Sequence, residues 1–410
     1  MKLAALDAGK LTAVREAALS RAPVSMGIRR TATPHEFYRY PARFSPDLAA
    51  AVIGAFTQVG DLVADYFVGG GTTLVEARLA SRLGVGSDIN SLSVFVSKVK
   101  TRIYSGQELV EVLAWSTRAS KASPRQSDWP ADEQTLSYFR NFSDPGLADQ
   151  RRVVLAALRE LDFIEPTRAR DLARCVLLRT AQWALDMRSE VPSAGALRDA
   201  LVENTTATVA AARSVATRYR SADQLVSGDG LPRSVVLHQG VPGLAGHTAL
   251  SRHPTPKLVL TSPPYPGVYV NYHRWKLRGR LETPLPYFIA GQSDGHGLGY
   301  YTMGARSDHT QDIYFRQLEA GFSDIAKMCG PETWLVQVVG FNHVEDQFGR
   351  YLHTMTKAGF DEVTVANLAT SEDGRLWRDV PGRRWWARAG DRSEVVQHTA
   401  REVVLIHRLA

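Results

Sequence analysis

The sequence predicts an α/β fold, and three observations carry that prediction. First, Leu62-Val63-Ala64-Asp65-Tyr66-Phe67 is an apolar strand run that ends in the glycine turn Gly69-Gly70-Gly71-Thr72-Thr73. Helical apolar spacing follows over Leu74 to Arg82, and Leu83 to Asp88 reads as the next strand, which makes residues 61–90 a βαβ unit. Second, Lys257-Leu258-Val259-Leu260 is a buried-strand run that stops in Thr261-Ser262-Pro263-Pro264-Tyr265. The two prolines lack backbone N–H groups and fix φ, so the ladder cannot continue. Third, the chain between them, from about Gln107 to Ala222, has mostly helical spacing.

At 410 residues the chain is long for one compact core, so one large α/β domain with an insertion, or two domains, is expected. No apolar stretch approaches the length of a membrane span and the N-terminus shows no signal-peptide core, so a cytoplasmic protein without a membrane partner is expected. Cys175 and Cys329 are isolated, which suggests neither a metal cluster nor a disulfide framework but two buried thiols in a reducing compartment. The net charge of +7 favours a polyanionic partner.

In chain order, Met1 to Pro34 holds one helix, Ala4 to Ser20, then a basic stretch with Arg29-Arg30. It reads as either a solvated tail or an arm touching phosphates. His35 to Pro46 is an aromatic segment before a helix over Asp47 to Phe56, with Pro46 in the first turn. Ser91 to Thr101 reads as a helix. The helical stretch contains Glu108 to Ala119, Asp149 to Leu161, Thr167 to Arg188 and Ala194 to Tyr219. Its recurring arginines are either a DNA clamp or the solvated faces of an ordinary bundle. Ser234 to His238 is the third strand. After Tyr265, basic and aromatic residues alternate through His273, Arg274, Trp275 and Lys276, a composition that suits phosphates and unstacked bases. His273 is a candidate general base or a structural contact. Gly291 to Gly304 is a glycine-rich loop expected over the site. Asp312 to Met328 is a helix, Glu332 to Gly340 the fifth strand and His343 to Ala358 a helix, and Phe360 to Leu368 pairs with Glu402 to Arg408 as a terminal hairpin. Between them Arg383, Arg384 and Trp385 mark either a DNA-contacting loop or a packed hairpin extension.

The chemistry of the two motifs is specific. The glycines let the backbone turn tightly against a ligand, and Asp88 at a strand end can accept both hydroxyls of a ribose. The turn lacks the Lys-Ser/Thr of a P-loop and the Gly-x-Gly-x-x-Gly spacing of a dinucleotide site. Ser262 and the last strand carbonyls can accept hydrogens from a planar amino group, and Tyr265 can stack on the ring that bears it. The plainer reading is a proline turn with a packing tyrosine.

Together these stretches resemble the amino-methylating DNA methyltransferases that use S-adenosylmethionine. Asp65 to Thr73 looks like the family's cofactor motif, with Tyr66 in place of Pro and Gly70 in place of Ser. Asp88-Ile89 matches the ribose-binding acid and its neighbour. Ser262-Pro263-Pro264-Tyr265 is similar to the catalytic tetrapeptide in the form most associated with cytosine N4. His35 to Pro46 is similar to the segment that closes over the cofactor's methionine end.

The resemblance implies a Rossmann-like methyltransferase sheet with a reversed terminal strand and a large helical insertion. It divides the chain into an arm at 1–34, a catalytic domain at 35–106 and 226–410, and an insertion at 107–225. It places Tyr40, Pro41, Ala42, Phe44, Asp65, Phe67, Gly69, Gly71, Thr72, Thr73, Asp88, Ile89, Gln239 and Thr261 around S-adenosylmethionine, and Ser262, Pro263, Pro264 and Tyr265 in catalysis. Gln239 stands where the family often has an acid. It implies a flipped base in double-stranded DNA, transfer by direct displacement without a metal, a cognate restriction endonuclease as partner, and a monomer or homodimer. Arg274, Trp275, Lys276, Arg383, Arg384 and Trp385 are the expected DNA contacts. Adenine-N6 methylation, RNA guanine methylation and a non-catalytic regulator stay open beside cytosine N4.

Overall fold

The computed structural model describes the chain except for residues 1–6, 21–32, 42–44, 126–127, 131, 227–229, 269–272, 296–299, 304–307, 342 and 380–400. Its centre is a sheet built from β1 (Leu62–Asp65), β2 (Leu83–Asp88), β3 (Ser234–His238), β4 (Leu258–Thr261), β7 (Trp334–Gly340), β8 (Phe360–Glu362), β9 (Leu376–Asp379) and β10 (Arg401–Leu409). The spatial order is β3-β2-β1-β4-β7-β10-β8, and β9 pairs with the other half of the same β10 edge. The first five run parallel, and β10 is antiparallel to β7, β8 and β9. A short hairpin, β5 (Trp275–Leu277) and β6 (Leu281–Thr283), stands apart. The mostly parallel sheet with one reversed strand is the architecture expected of a Rossmann-like methyltransferase. The expected Phe360 to Leu368 strand is shorter: it ends at Glu362, and Ala366–Leu368 is a 3-10 turn.

Side chains alternate along the strands and so bury two faces. Val63, Leu258, Leu260, Val336 and Val338 pack under α1 (Ala8–Leu19) and α2 (Pro46–Phe56). Ala64, Val259, Leu335 and Val339 pack on the other side against α11 (Asp308–Met328) and α12 (Val344–Lys357), through Tyr314, Phe322, Tyr351 and Met355. The N-terminal helix is therefore not a solvated tail. Leu11, Val14 and Ala18 are buried against α2, while Arg29 and Arg30 lie outside the described residues.

Helix α3 (Thr72–Leu79) crosses from β1 to β2, and α4 (Ser91–Thr101) follows β2 with Asn90 as its cap. Before β3 the chain makes α5 (Gly106–Lys121), α6 (Glu133–Ser137), α7 (Ala148–Arg159), α8 (Thr167–Leu185) and α9 (Ala194–Gln224). Ser105 and Glu108 form a complete capping box at the start of α5. Of these, α5, α7, α8 and α9 share one core with Tyr38, with Trp275 and Leu277 of the hairpin, and with Leu285, Tyr287 and Ile289 of α10 (Leu285–Ala290). Several arginines of this region hold backbone carbonyls. Arg151 donates to the carbonyls of Phe142 and Asp144, Arg170 to that of Ile164, Arg174 to that of Ile289 and Arg179 to that of Glu36. Among the described residues no helix is long and apolar enough to cross a membrane. Cys175 is buried, Cys329 only partly so, and burial pushes both thiols up to about 12.

Candidate active site

The strand order departs in both directions from β1 and β4, so the crevice lies beyond their C-terminal ends. β1 ends in Asp65 and β4 in Thr261. The buried Asp65 carboxylate accepts from Thr261 Oγ1 at 2.6 Å, from Thr73 Oγ1 at 2.7 Å and from the Phe67 N–H at 3.2 Å. Burial pushes Asp65 up to about 6, and the three hydrogen bonds oppose that rise. With these partners Asp65 ties the glycine turn to the end of β4.

The turn itself is braced from α4. Gly71 caps α3 with a left-handed φ of 78°. Ser97 donates to the Gly69 carbonyl at 3.0 Å, and the buried Lys100 ammonium donates to that of Gly70 at 3.0 Å. A Cβ at Gly70, where the motif it resembles has Ser, would lie 2.7 Å from Tyr40 Cβ. Asp88 accepts from the N–H groups of Gly69 and Asn90, both at 2.9 Å, and burial pushes it up to about 6. Each carboxylate oxygen keeps a lone pair for a further donor.

In the tetrapeptide, Ser262 Oγ donates to the Val338 carbonyl at 2.9 Å and lies 3.3 Å from Tyr265 Oη. Its proton is committed, so toward the cavity it serves as an acceptor. Tyr314 Oη donates to the Pro264 carbonyl at 2.8 Å. Among the described residues the Pro263 carbonyl accepts no such bond. Tyr265 Oη donates to the buried Glu402 at 2.8 Å, and Glu402 also accepts twice from Arg378, at 3.0 and 2.6 Å.

One cavity of about 310 Å³ joins the two motifs. Tyr40, Asp65, Phe67, Gly69, Thr72, Asp88, Ile89, Ser262, Pro263, Pro264 and Tyr265 all line it. Gly71, Thr73 and Thr261 stand behind that lining, and Pro41 faces a different cleft. Gln239 is not on the wall, where Gly240 and Val241 take its place. Ala42 and Phe44 lie outside the described residues. Beyond the residues expected at the cofactor, Tyr66, Val68, Gly70, Asn90, Tyr300–Met303 and Gln317 also line the cavity. Tyr300–Met303 belong to the glycine-rich loop that was expected near the site, but the loop's composition does not reveal which residues face inward.

The expected DNA contacts fare differently. Trp275 is wholly buried and donates from Nε1 to Tyr38 Oη at 3.4 Å, so it packs the helical core instead of offering a face to a base. Arg274 is 5% exposed and neutralised by Glu282 at 3.0 Å and by Asp294, so it is an internal ion pair. His273 lies edge-on to Tyr301, and burial pushes its imidazole down to about 3, which makes it a weak base. Lys276 lines a cleft, and Arg383, Arg384 and Trp385 lie outside the described residues.

Residues 25–96 match a family described as DNA methylase, of the N6/N4 amino-methylating type. The match covers the aromatic segment, the glycine turn and Asp88, and ends before Ser262. Type II methyltransferase M.MjaII of Methanocaldococcus jannaschii is 32% identical over 84 residues, which are 20% of this chain and 16% of that relative. The chain thus spans about a sixth of that relative's length. Two structures of the rRNA methyltransferase aviRa from Streptomyces viridochromogenes align with TM-scores of 0.33 and 0.31 at 11% and 10% identity. They cover 78% and 79% of this chain and 85% and 81% of those. The evidence for the fold is the chain's own strand order. The likeness to the DNA methylase family thus rests on residues 25–96 and on a relative matched over 84 residues.

Proposed function

We propose that this protein methylates an exocyclic amino group in DNA, with cytosine N4 as the acceptor. The observation that carries this is the Asp65–Thr261 hydrogen bond of 2.6 Å. It brings a ribose-type acid, Asp88, and an amino-binding turn, Ser262-Pro263, to one cavity.

The residues present fit S-adenosylmethionine. Asp88 has both oxygens oriented by backbone N–H groups and faces the cavity, as acceptance of two hydroxyls requires. Tyr40 and Phe67 offer apolar walls, and Gly69 and Gly70 let the backbone come close. When bound, this group supplies an electrophilic methyl on a sulfonium. The chain's own work is positional. Ser262 Oγ and the Pro263 carbonyl accept the two hydrogens of an amino group, which leaves the nitrogen lone pair directed into the cavity. Orientation of this kind is worth several powers of ten in rate. An amino group inside a duplex is out of reach, so the nucleotide must leave the stack, and the Tyr265 ring covers it.

The serine at position 262 supports cytosine over adenine through the family resemblance. A restriction-modification or epigenetic role, with a cognate nuclease, belongs to the same reading. The test is mass spectrometry of nucleosides from DNA of a methylation-free host that expresses the protein, with Ser262→Ala as control. N4-methylcytosine from the intact protein alone is the expected result. N6-methyladenine would overturn the base assignment, and neither mark would overturn DNA methylation by this chain.

A further inference from the structure

A second cleft of about 770 Å³ lies between α8, α9, residues 35–41 and β5. It is separate from the catalytic cavity, but the two are neighbours: Tyr40 lines one and Pro41 the other. Five cationic side chains line it against three carboxylates. Two of the cations are committed, Arg179 to the Glu36 carbonyl and Arg274 to its own two acids. Arg39, Arg188 and Lys276 form no ion pair among the described residues.

The wall that carries the last two is rigid. Asp186 accepts from the Lys276 N–H at 3.0 Å, and the Met187 N–H donates to the Lys276 carbonyl at 2.9 Å. These bonds lock the end of α8 to β5, with Met187 held at a left-handed φ of 59°. On this wall Trp183 is 41% exposed, although α8 is otherwise largely buried, and the Arg188 guanidinium lies 5.0 Å from its ring centroid.

An exposed indole beside cations that hold no ion pair is the chemistry that holds a nucleotide: the ring face not covered by Arg188 stacks a base and the cations take phosphate. We infer that this cleft binds a nucleotide unit of a DNA strand, with a base on Trp183 and phosphates on Arg39, Arg188 and Lys276. The inference rests on the proposed DNA substrate and assigns the helical region its contact with that substrate.

The test uses the full chain and a fluorescein-labelled 20-base-pair duplex followed by anisotropy across a salt series. Replacing Arg39, Arg188 and Lys276 together by alanine is expected to weaken duplex binding at least ~10-fold and to flatten the log Kd against log salt slope by about 2–3. Trp183→Ala is expected to weaken binding ~5–50-fold, with recovery in Trp183→Phe. S-adenosylmethionine affinity by calorimetry should stay within twofold in every variant, which also shows that each is folded. Unchanged duplex affinity and slope in the triple variant overturn the cleft assignment while leaving the methyltransferase reading intact. A wild-type protein that binds no duplex overturns both. If deoxycytidine monophosphate quenches Trp183 and the duplex does not compete, the cleft is a free-nucleotide site and the strand assignment falls.

Discussion

Tyr265 and Glu402, 137 residues apart in the chain, are joined by a hydrogen bond of 2.8 Å from the phenol to a carboxylate that is 1% exposed. The ring is also pressed on β7: a Cβ at Gly340 would lie 2.8 Å from Tyr265 Cε2. Ring and hydroxyl are thus set from two adjacent strands, and Arg378 neutralises the acid that does the holding. Glu402→Ala should lower kcat for methyl transfer roughly 10–100-fold, because displacement of a positioning group by about 1 Å costs that much. The KM for S-adenosylmethionine should hardly move. Glu402→Gln keeps an acceptor for the phenol and should recover part of the loss. A wild-type kcat in the alanine variant would remove Glu402 from the mechanism.

Asp88 predicts a pH dependence of cofactor binding. Burial raises it to about 6, and only its ionised form offers both oxygens as acceptors. S-adenosylmethionine affinity should therefore fall as pH drops through about 6, and Asp88→Asn should bind weakly with a flatter profile. Calorimetry between pH 5 and 8 reads both, and a flat wild-type profile contradicts the role. Stability carries the opposite sign. Asp65 and Asp88 have folded values near 6 against an ordinary 3.8, so between those limits the folded state holds more protons. Their contribution to stability accordingly improves as pH falls through that window.

Gly70→Ser restores the family residue but places a side chain against Tyr40. Overpacking of this kind costs about 1–3 kcal/mol. A lower melting temperature and weaker cofactor binding are expected, with relief in a Gly70→Ser/Tyr40→Ala double variant relative to the sum of the two single changes. Additive losses would show that the contact is not the cause.

Trp275→Ala should behave as a core deletion. A wholly buried indole with a satisfied N–H is worth about 3–5 kcal/mol on truncation. Denaturant unfolding should show that loss, and the salt slope of duplex binding should stay unchanged. A reduced salt slope with unchanged stability would return this residue to a DNA surface.

Position in sequence told least about residues 273–276. Arg274 and Trp275 have the composition of a nucleic-acid contact, but α8, α10 and residues 35–40 enclose them, and none of those neighbours is local. The arginines of the helical region stayed open between a DNA clamp and solvated faces for the same reason: a guanidinium that caps a carbonyl cannot be distinguished in sequence from one that faces water. Gln239 was one residue off, because the strand end turns inward at Gly240.

What the sequence by itself determined is local. Apolar runs, glycine turns and prolines specify β2 and β3 to the residue, β1 and β4 within two residues and α3 within three, because backbone sterics and the period of burial act over neighbouring positions. That Asp65, Asp88 and the Ser262 turn form one chemical set was what the family resemblance implied. Only the tertiary structure decided how they meet. Thr261 reaches Asp65 across 196 residues, Glu402 comes back along the reversed strand to hold Tyr265, and Tyr300–Met303 cover the cavity. Such pairings depend on which strands adjoin and which faces are buried, and those are properties of the packed sheet as a whole.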